Sequence, residues 1–224
     1  MDPRKLVVEA IGTFFLVFTV GMTVIDPGAG ALAPIAIGTS LAVMIYAGGH
    51  ISGGHYNPAV TLGVLVRGGI KPAGAVSYWV AQIVGACIAS VAVAYTKPSM
   101  PPAALNHDIP VGAGLLAEFL FTFALVYVVL NVATAKGTEG NSFYGFAIGF
   151  TVMTGAFAVG GVTGGAFNPA VAIGGAFMNI FAWNELWIYL AAELVGGVVA
   201  ALVFIFAHPD EVSDALLKLG GRSR

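Results

Sequence analysis

Charge is the first thing that this sequence lacks. Only 9% of its 224 residues are charged, while 58% are hydrophobic. Because a soluble globular domain carries about 25% charged residues, so little charge excludes a surface that faces water over most of the chain. The formal net charge of −2 comes without a basic patch, which argues against nucleic acid as a partner. Cysteine is also nearly absent: Cys87 alone excludes a disulfide framework within the chain and is expected to pack as a small residue.

The residue sets of an active site are missing as well. The sequence shows no pair of acids, no cluster of metal-ligating residues and no combination of nucleophile and base that indicates chemistry. Its paired glycines are predicted to allow tight turns and close helix approach rather than to bind phosphate. The chain is therefore predicted not to be an enzyme and to need no cofactor and no metal.

Long apolar runs are what the sequence has instead. A helix needs about 20 apolar residues to cross the hydrocarbon core of a bilayer, and six runs are long enough, at roughly 5–24, 32–49, 73–95, 112–133, 143–160 and 185–207. Two shorter runs, at roughly 58–66 and 169–178, have about ten residues, which rise about 15 Å as a helix and reach halfway across. The N-terminal run resembles a signal peptide but lacks a cleavage site, so we interpret it as a retained first span.

The basic residues lie almost entirely on one predicted side of the membrane. If the N-terminus is in the cytoplasm, Lys97 alone falls outside. The basic residues that fall inside are Arg4, Lys5, Arg67, Lys71, Lys136, Lys218, Arg222 and Arg224. This asymmetry follows the positive-inside rule. It predicts a multi-pass protein of the inner or plasma membrane with both termini in the cytoplasm.

The two halves of the chain repeat each other. Residues 48–63 and 159–174 are identical at eight of sixteen aligned positions, which include both Asn-Pro-Ala-Val segments. Near the start, "LVVEAIGTFFLVF" resembles "LLAEFLFTFALVY" in the second half. Each half has three spans, an odd number, so the second half must be inserted upside down. The prediction is an all-α membrane protein with one domain of two inverted repeats, at about 1–97 and 110–210, and a short cytoplasmic C-terminal tail.

The two half-length runs begin at Asn57 and Asn168, and proline follows each asparagine. Backbone that re-enters a membrane is tolerated only where protein covers it or water bathes it. Proline suits the first turn of a helix and asparagine suits the cap before it, so each run predicts a half helix that begins near the midplane. Because each helix N-terminus carries about half a positive charge, the pair should repel cations and let neutral molecules pass.

These motifs resemble those of the aquaporin, or major intrinsic protein, family. The stretch "EAIGTFFLVF" is similar to the family's first helix, "GGHISGGHYNPAVTLG" to its first re-entrant loop, "SYWVAQIVGA" to its third helix and "GGAFNPAVAIGG" to its second re-entrant loop. The resemblance covers nearly the whole chain. It implies a right-handed bundle of six tilted transmembrane helices with two re-entrant half helices, assembled as a homotetramer with one pore in each protomer.

The resemblance also implies roles for individual residues. The two pore motifs are Asn57, Pro58, Ala59, Asn168, Pro169 and Ala170. Their asparagines would donate hydrogen bonds to the oxygen of the solute. Glu9 and Glu118 are acids within apolar spans, and they would brace the re-entrant loops by accepting hydrogen bonds. His50 and His55 flank the first loop, where an ordinary hydrogen bond is expected and a pH-sensing role is the alternative.

The sequence departs from the family pattern at the outer constriction. The family normally has arginine directly after the second Asn-Pro-Ala, and this chain has Val171. The four positions of the outer filter match Ile37, Ala156, Gly165 and Val171, with Gly155 as the alternative to Ala156. The bulky aromatic, the histidine and the arginine typical of water-selective members are missing, so the filter is predicted to be wide and apolar. The aspartate typical of glycerol-conducting members is missing too, because Ala172 stands in its place.

The last span contains an acid where the family usually has proline. This residue, Glu193, matches Gln82 in the first repeat. We expect Glu193 to hydrogen-bond backbone in the interior, and a gating role is the alternative.

The double motif predicts a passive channel for water and small uncharged solutes. One alternative is a facilitator of glycerol, urea, ammonia or metalloid hydroxides with little role in water transport. Another is an ion-coupled secondary transporter, because inverted repeats are common there too; its ion site would have to use Glu193. A poorly conducting structural protein is the last alternative. The expected partners are the lipid bilayer, water, small neutral solutes and further copies of the chain.

Overall fold

The computed structural model describes residues 2–98 and 109–211. The predicted C-terminal tail lies outside these residues, and so do the basic residues beyond position 211. Eight α-helices occupy most of the described chain, and we number them α1 to α8 in chain order. They are α1 Pro3–Val24, α2 Ala33–Ser52, α3 Pro58–Val66, α4 Pro72–Thr96, α5 Val111–Thr134, α6 Tyr144–Thr163, α7 Pro169–Phe177 and α8 Leu186–Ala207.

Six of these helices are long and apolar enough to cross a membrane, as the sequence predicts: α1, α2, α4, α5, α6 and α8. The other two, α3 and α7, have nine residues each. An even number of long helices places the start of α1 and the end of α8 on the same side of the bundle, which we call the terminal side.

The half helix α3 has the bounds that the sequence predicts, whereas α2 and α6 each run three residues beyond their predicted ends at 49 and 160. Both helices continue through their first glycine pair and end where the next glycine becomes left-handed. Gly53 has φ 96° and Gly164 has φ 85°, and each donates its N–H back to the helix carbonyl four residues earlier. Glycine adopts this conformation without the steric cost that a Cβ brings, so the reversal into each re-entrant loop falls at that position.

Glycines let three pairs of long helices cross backbone to backbone. A Cβ on Gly85 of α4 would lie 2.4 Å from the Ala10 carbonyl of α1, and one on Gly196 of α8 would lie 2.8 Å from the Phe119 carbonyl of α5. On α6, a Cβ on Gly149 would lie 2.3 Å from a carbonyl oxygen of α2. Any side chain there forces the helices apart, so these close crossings require glycine.

The contacts of the first half recur in the second, as expected for an inverted repeat. Helix α1 packs extensively on α4, and α5 packs on α8 in the same way. Each half helix crosses into the other half: α3 packs on α8, and α7 packs on α4. The two half helices also contact each other, so their first turns meet inside the bundle rather than at separate surfaces.

Candidate pore

Both half helices begin at an asparagine that caps its own helix. The Asn57 Oδ1 atom accepts hydrogen bonds from the N–H groups of Ala59 at 2.8 Å and Val60 at 3.3 Å. The Asn168 Oδ1 atom accepts one from the N–H of Ala170 at 3.0 Å. The caps satisfy backbone donors that have no partner within the helix. They also fix each side-chain amide so that its nitrogen points away from its own helix.

The two asparagines are tied across the interface between the halves. The Asn57 Nδ2 atom donates to the Phe167 carbonyl at 2.8 Å, and the Asn168 Nδ2 atom donates to the Tyr56 carbonyl at 2.9 Å. Each amide nitrogen carries two hydrogens, so each keeps a second donor after this bond. Both asparagines line the same cavity. The geometry therefore brings together the two residues that the sequence predicts to meet, and it leaves donors available there.

Glu9 braces the first re-entrant loop from within α1. Its carboxylate accepts the Ser52 hydroxyl at 2.7 Å and the backbone N–H groups of His55 at 3.0 Å and Tyr56 at 2.7 Å. A fourth bond comes from the Gln82 amide of α4 at 2.8 Å. Glu9 is fully buried, and bonds to a charged acceptor are the strong ones, so this carboxylate fixes the path of the loop.

Glu118 does the same for the second loop from within α5. It accepts the Thr163 hydroxyl at 2.5 Å and the N–H groups of Ala166 at 3.2 Å and Phe167 at 2.8 Å. Tyr189 adds a bond from its hydroxyl to the Thr163 carbonyl at 2.5 Å. Each glutamate thus holds the backbone of the re-entrant loop in its own half of the chain. Neither of them lines the cavity between the half helices.

The loops also carry backbone carbonyls that have no hydrogen-bond partner among the described residues. Two N–H groups of each loop donate to a buried glutamate. The carbonyls of Gly54, Gly165 and Ala166 accept no hydrogen bond from the described part of the chain. These residues line the cavity that contains the asparagines. Unpaired carbonyls need water or a polar solute, so the loops offer acceptors along one wall.

The cavity between the half helices is narrow, about 40 Å³ in volume. One water needs about 10–15 Å³ by this measure, so the cavity has room for a few waters. Its described polar side chains are His55, Asn57 and Asn168, and the rest of its described lining is apolar side chain and loop backbone. The four residues matched to the outer filter all line it: Ile37, Ala156, Gly165 and Val171. The alternative Gly155 instead packs under the rings of Phe121 and Phe167.

Two lining residues, Ile180 and Phe181, match no motif. They follow α7 and are almost completely buried. The Phe181 ring stacks obliquely on Tyr189, with 4.8 Å between centroids. It fits because Gly175 has no side chain: a Cβ there would lie 2.3 Å from the Phe181 ring. Phe181 therefore brings an aromatic ring to the cavity from the chain after the half helix.

The two histidines occupy different places. His55 lines the narrow cavity, its Nδ1 lies 3.1 Å from the Thr61 hydroxyl, and its ring meets Tyr78 edge to face. This contact joins the first re-entrant loop to helix α3. His50 lines a wider cavity of about 660 Å³ at the terminal side.

A partly buried ion pair, which no motif indicates, lies at the wider cavity. Arg67, which follows α3, pairs with Glu211 at 2.8 Å and donates to the Thr134 carbonyl at 2.6 Å. The other oxygen of Glu211 accepts the backbone N–H of Lys136 at 2.8 Å. This pair ties the chain after α8 to the end of the half helix and to the connection between α5 and α6.

Glu193 is fully buried in α8 and lies behind the second asparagine. Its Oε1 atom accepts the backbone N–H of Asn168 at 2.9 Å. This bond links α8 to the residue that caps α7. The residue does not line the cavity.

Comparison with known proteins agrees with this geometry. The family model of the major intrinsic proteins matches residues 2–204. Glycerol uptake facilitator protein-like 6 of Lactiplantibacillus plantarum is 40% identical over 207 residues, which cover 88% of this chain and 95% of that protein. Nodulin-26 of Glycine max is 36% identical over 90% of this chain and 76% of its own length. Aquaporin-8 of Rattus norvegicus is 34% identical over 96% of this chain and 85% of its own length.

A solved structure confirms the fold class. The crystal structure of the aquaglyceroporin from Plasmodium falciparum matches with a TM-score of 0.78, covering 91% of this chain and 96% of that chain at 22% identity. The predicted all-α bundle with six long helices, two half helices and an inverted repeat is therefore correct. Members of the matching family are channels, which confirms the prediction that the protein is not an enzyme. The chain thus belongs to the major intrinsic protein family. It is a multi-pass membrane protein, and the members of this family are passive channels for water or small solutes.

Proposed function

We propose that this protein conducts water together with small uncharged solutes wider than water, through the narrow cavity between its half helices. One observation carries the proposal: both half helices begin at this cavity, each with an asparagine that keeps a free amide hydrogen. Those hydrogens and the unpaired carbonyls of the loops replace hydrogen bonds that a solute loses on leaving water. The pore motifs, residues 57–59 and 168–170, are proposed to act in this way.

The outer filter is proposed to be wide and apolar. Ile37, Ala156, Gly165 and Val171 bring no charge and no side-chain donor to the cavity that they line. They select by size and leave recognition to the backbone and the two asparagines. Phe181 lines the same cavity, so the width of the filter depends on this ring as well as on the four matched positions.

Cations are proposed to be excluded at the middle of the pore. Two helix N-termini meet there, each equivalent to about half a positive charge. No described acid lines the narrow cavity to offset them. An ion-coupled transporter would need such an acid, and its one candidate, Glu193, faces the Asn168 backbone instead. This placement favours the channel over the transporter.

A solute panel in proteoliposomes tests the function. We expect water, glycerol and urea fluxes to rise above those of empty vesicles, while sodium and potassium fluxes stay at background. Ammonia, hydrogen peroxide and neutral metalloid hydroxides complete the panel. High glycerol and urea fluxes without water flux would instead support a dedicated solute facilitator, and water flux alone would contradict the wide filter.

The protein is proposed to lie in the inner or plasma membrane of the cell, with both of its termini in the cytoplasm. The basic asymmetry of the connections supports this placement. A reporter enzyme that works only in the cytoplasm should be active when fused after residue 224. A periplasm-dependent reporter should be inactive at the same place, and its activity would contradict the proposed topology. The internal repeat of the sequence supports one channel domain per chain, built of inverted repeats at about 1–97 and 110–210. Assembly as a homotetramer is proposed from the resemblance.

A further inference from the structure

Glu193 has an oxygen whose environment the fold does not explain. Its Oε1 atom accepts the Asn168 N–H, but its Oε2 atom is buried and receives no hydrogen bond from any described donor. The side chain is a hydrogen-bonding neighbour of the Glu118 carboxyl group. Two buried acids are therefore neighbours in the interior, beside the asparagine that caps the second half helix.

The first repeat has an amide at the corresponding position, and its nitrogen donates to the bracing glutamate. Gln82 of α4 corresponds to Glu193 of α8, and Glu9 corresponds to Glu118. The Gln82 Nε2 atom donates to Glu9 at 2.8 Å. In the second repeat an acid stands where the amide donor was, so a hydrogen bond between the two side chains requires a proton on one of them.

Burial and mutual contact disfavour two negative charges on this pair of acids. Like charges in contact disfavour the charged form, and so does removal from water. The titratable groups that face Glu193 are Glu118 from α5 and Tyr189 from α8, whereas the half helices α3 and α7 contain no titratable side chain. No salt bridge within the described ranges involves either acid. Glu118 already accepts three donors, which favours the charge on Glu118.

We propose that Glu193 is a neutral carboxylic acid that donates its Oε2 proton to Glu118 while its Oε1 atom holds the Asn168 backbone. In this role Glu193 is a positioning residue: it touches no solute, and it fixes the asparagine that does. The protonated acid supplies the donor to the bracing glutamate that the Gln82 amide supplies in the first repeat. Because the acid is neutral, it is tolerated within the membrane-spanning part of α8 without a bound ion.

Infrared spectroscopy of the reconstituted protein tests the proton directly. A protonated carboxylic acid gives a carbonyl-stretch band that is separate from carboxylate bands and shifts in D2O. We expect this band in the wild type at neutral pH, its loss in Glu193→Gln, and its retention in Glu185→Gln. Gln82→Glu should add a second band, because it builds the same pair in the first repeat. Absence of the band in the wild type, or its persistence in Glu193→Gln, overturns the proposal.

Water permeability tests the positioning role. Glu193→Gln should conduct like the wild type, because the amide reproduces both hydrogen bonds. The water permeability of Glu193→Leu should be about tenfold lower than that of the wild type, equivalent to about 1.4 kcal/mol, because the Asn168 N–H and Glu118 both lose their partner. A comparable loss in Glu193→Gln would show that the acid acts as an anion and would overturn the proposal. If the wild type failed to conduct, the channel function would fall while the infrared result would still decide the protonation state.

Discussion

Replacing Val171 with arginine is expected to reduce glycerol and urea flux far more than water flux. Val171 lines the narrow cavity beside Ile37, Ala156 and Gly165, none of which brings a charge. An arginine there should fill part of the space next to these uncharged residues and still leave a passage for water. Proteoliposome swelling measures all three solutes in the same preparation.

The arginine should also raise the barrier to cations. Two unit charges 4 Å apart interact by about 4 kcal/mol at an effective dielectric near 20, so the added charge is large compared with thermal energy. Val171→Met is the matched control, since it adds length without charge. Methionine should reduce glycerol flux but leave any cation leak unchanged. If the wild type itself passes water and rejects glycerol and urea, the wide filter is wrong, and Phe181 is the residue to examine.

Replacing Glu9 with leucine is expected to abolish conduction and to lower thermal stability. The substitution leaves the backbone N–H groups of His55 and Tyr56 without their acceptor. A buried unpaired donor costs about 1–3 kcal/mol, so these two alone cost roughly 2–6 kcal/mol. Water flux and the midpoint of thermal unfolding in detergent measure the two effects.

The control for this experiment is Glu9→Gln, which keeps an acceptor oxygen and removes the charge. It should lose less stability than Glu9→Leu, because the remaining side-chain oxygen can still accept a hydrogen bond from the loop backbone. Glu118→Leu should reproduce the leucine phenotype in the second repeat. Conduction and a melting temperature like those of the wild type in Glu9→Leu would show that the buried carboxylate does not hold the first loop.

The elements that sequence predicts best are those with a local physical cause. Asparagine followed by proline fixes the start of a half helix, and the bounds 58–66 of α3 agree with that prediction. The ends of α2 and α6 could not be placed as well, because each of these segments contains two glycine pairs. Which pair reverses the chain depends on the hydrogen bonds that the loop makes with Glu9 or Glu118, and those bonds form only in the folded bundle.

The candidate site shows the same division. Asn57, Asn168 and the two bracing glutamates stand out in the sequence because they are polar in apolar surroundings. Phe181 does not stand out, because one more aromatic in an apolar chain has no pattern, and its place at the cavity depends on the space that Gly175 leaves. The pair of Arg67 and Glu211 joins residues 144 positions apart, and no local pattern indicates such a contact.

The most direct test of a passive pore is the dependence of flux on gradient and temperature in proteoliposomes. We expect water and glycerol fluxes that rise in proportion to the gradient without saturating. They should be unaffected by imposed proton or sodium gradients and should have a lower activation energy than in empty vesicles. Flux that saturates and follows an ion gradient, or flux equal to that of empty vesicles, would contradict the account.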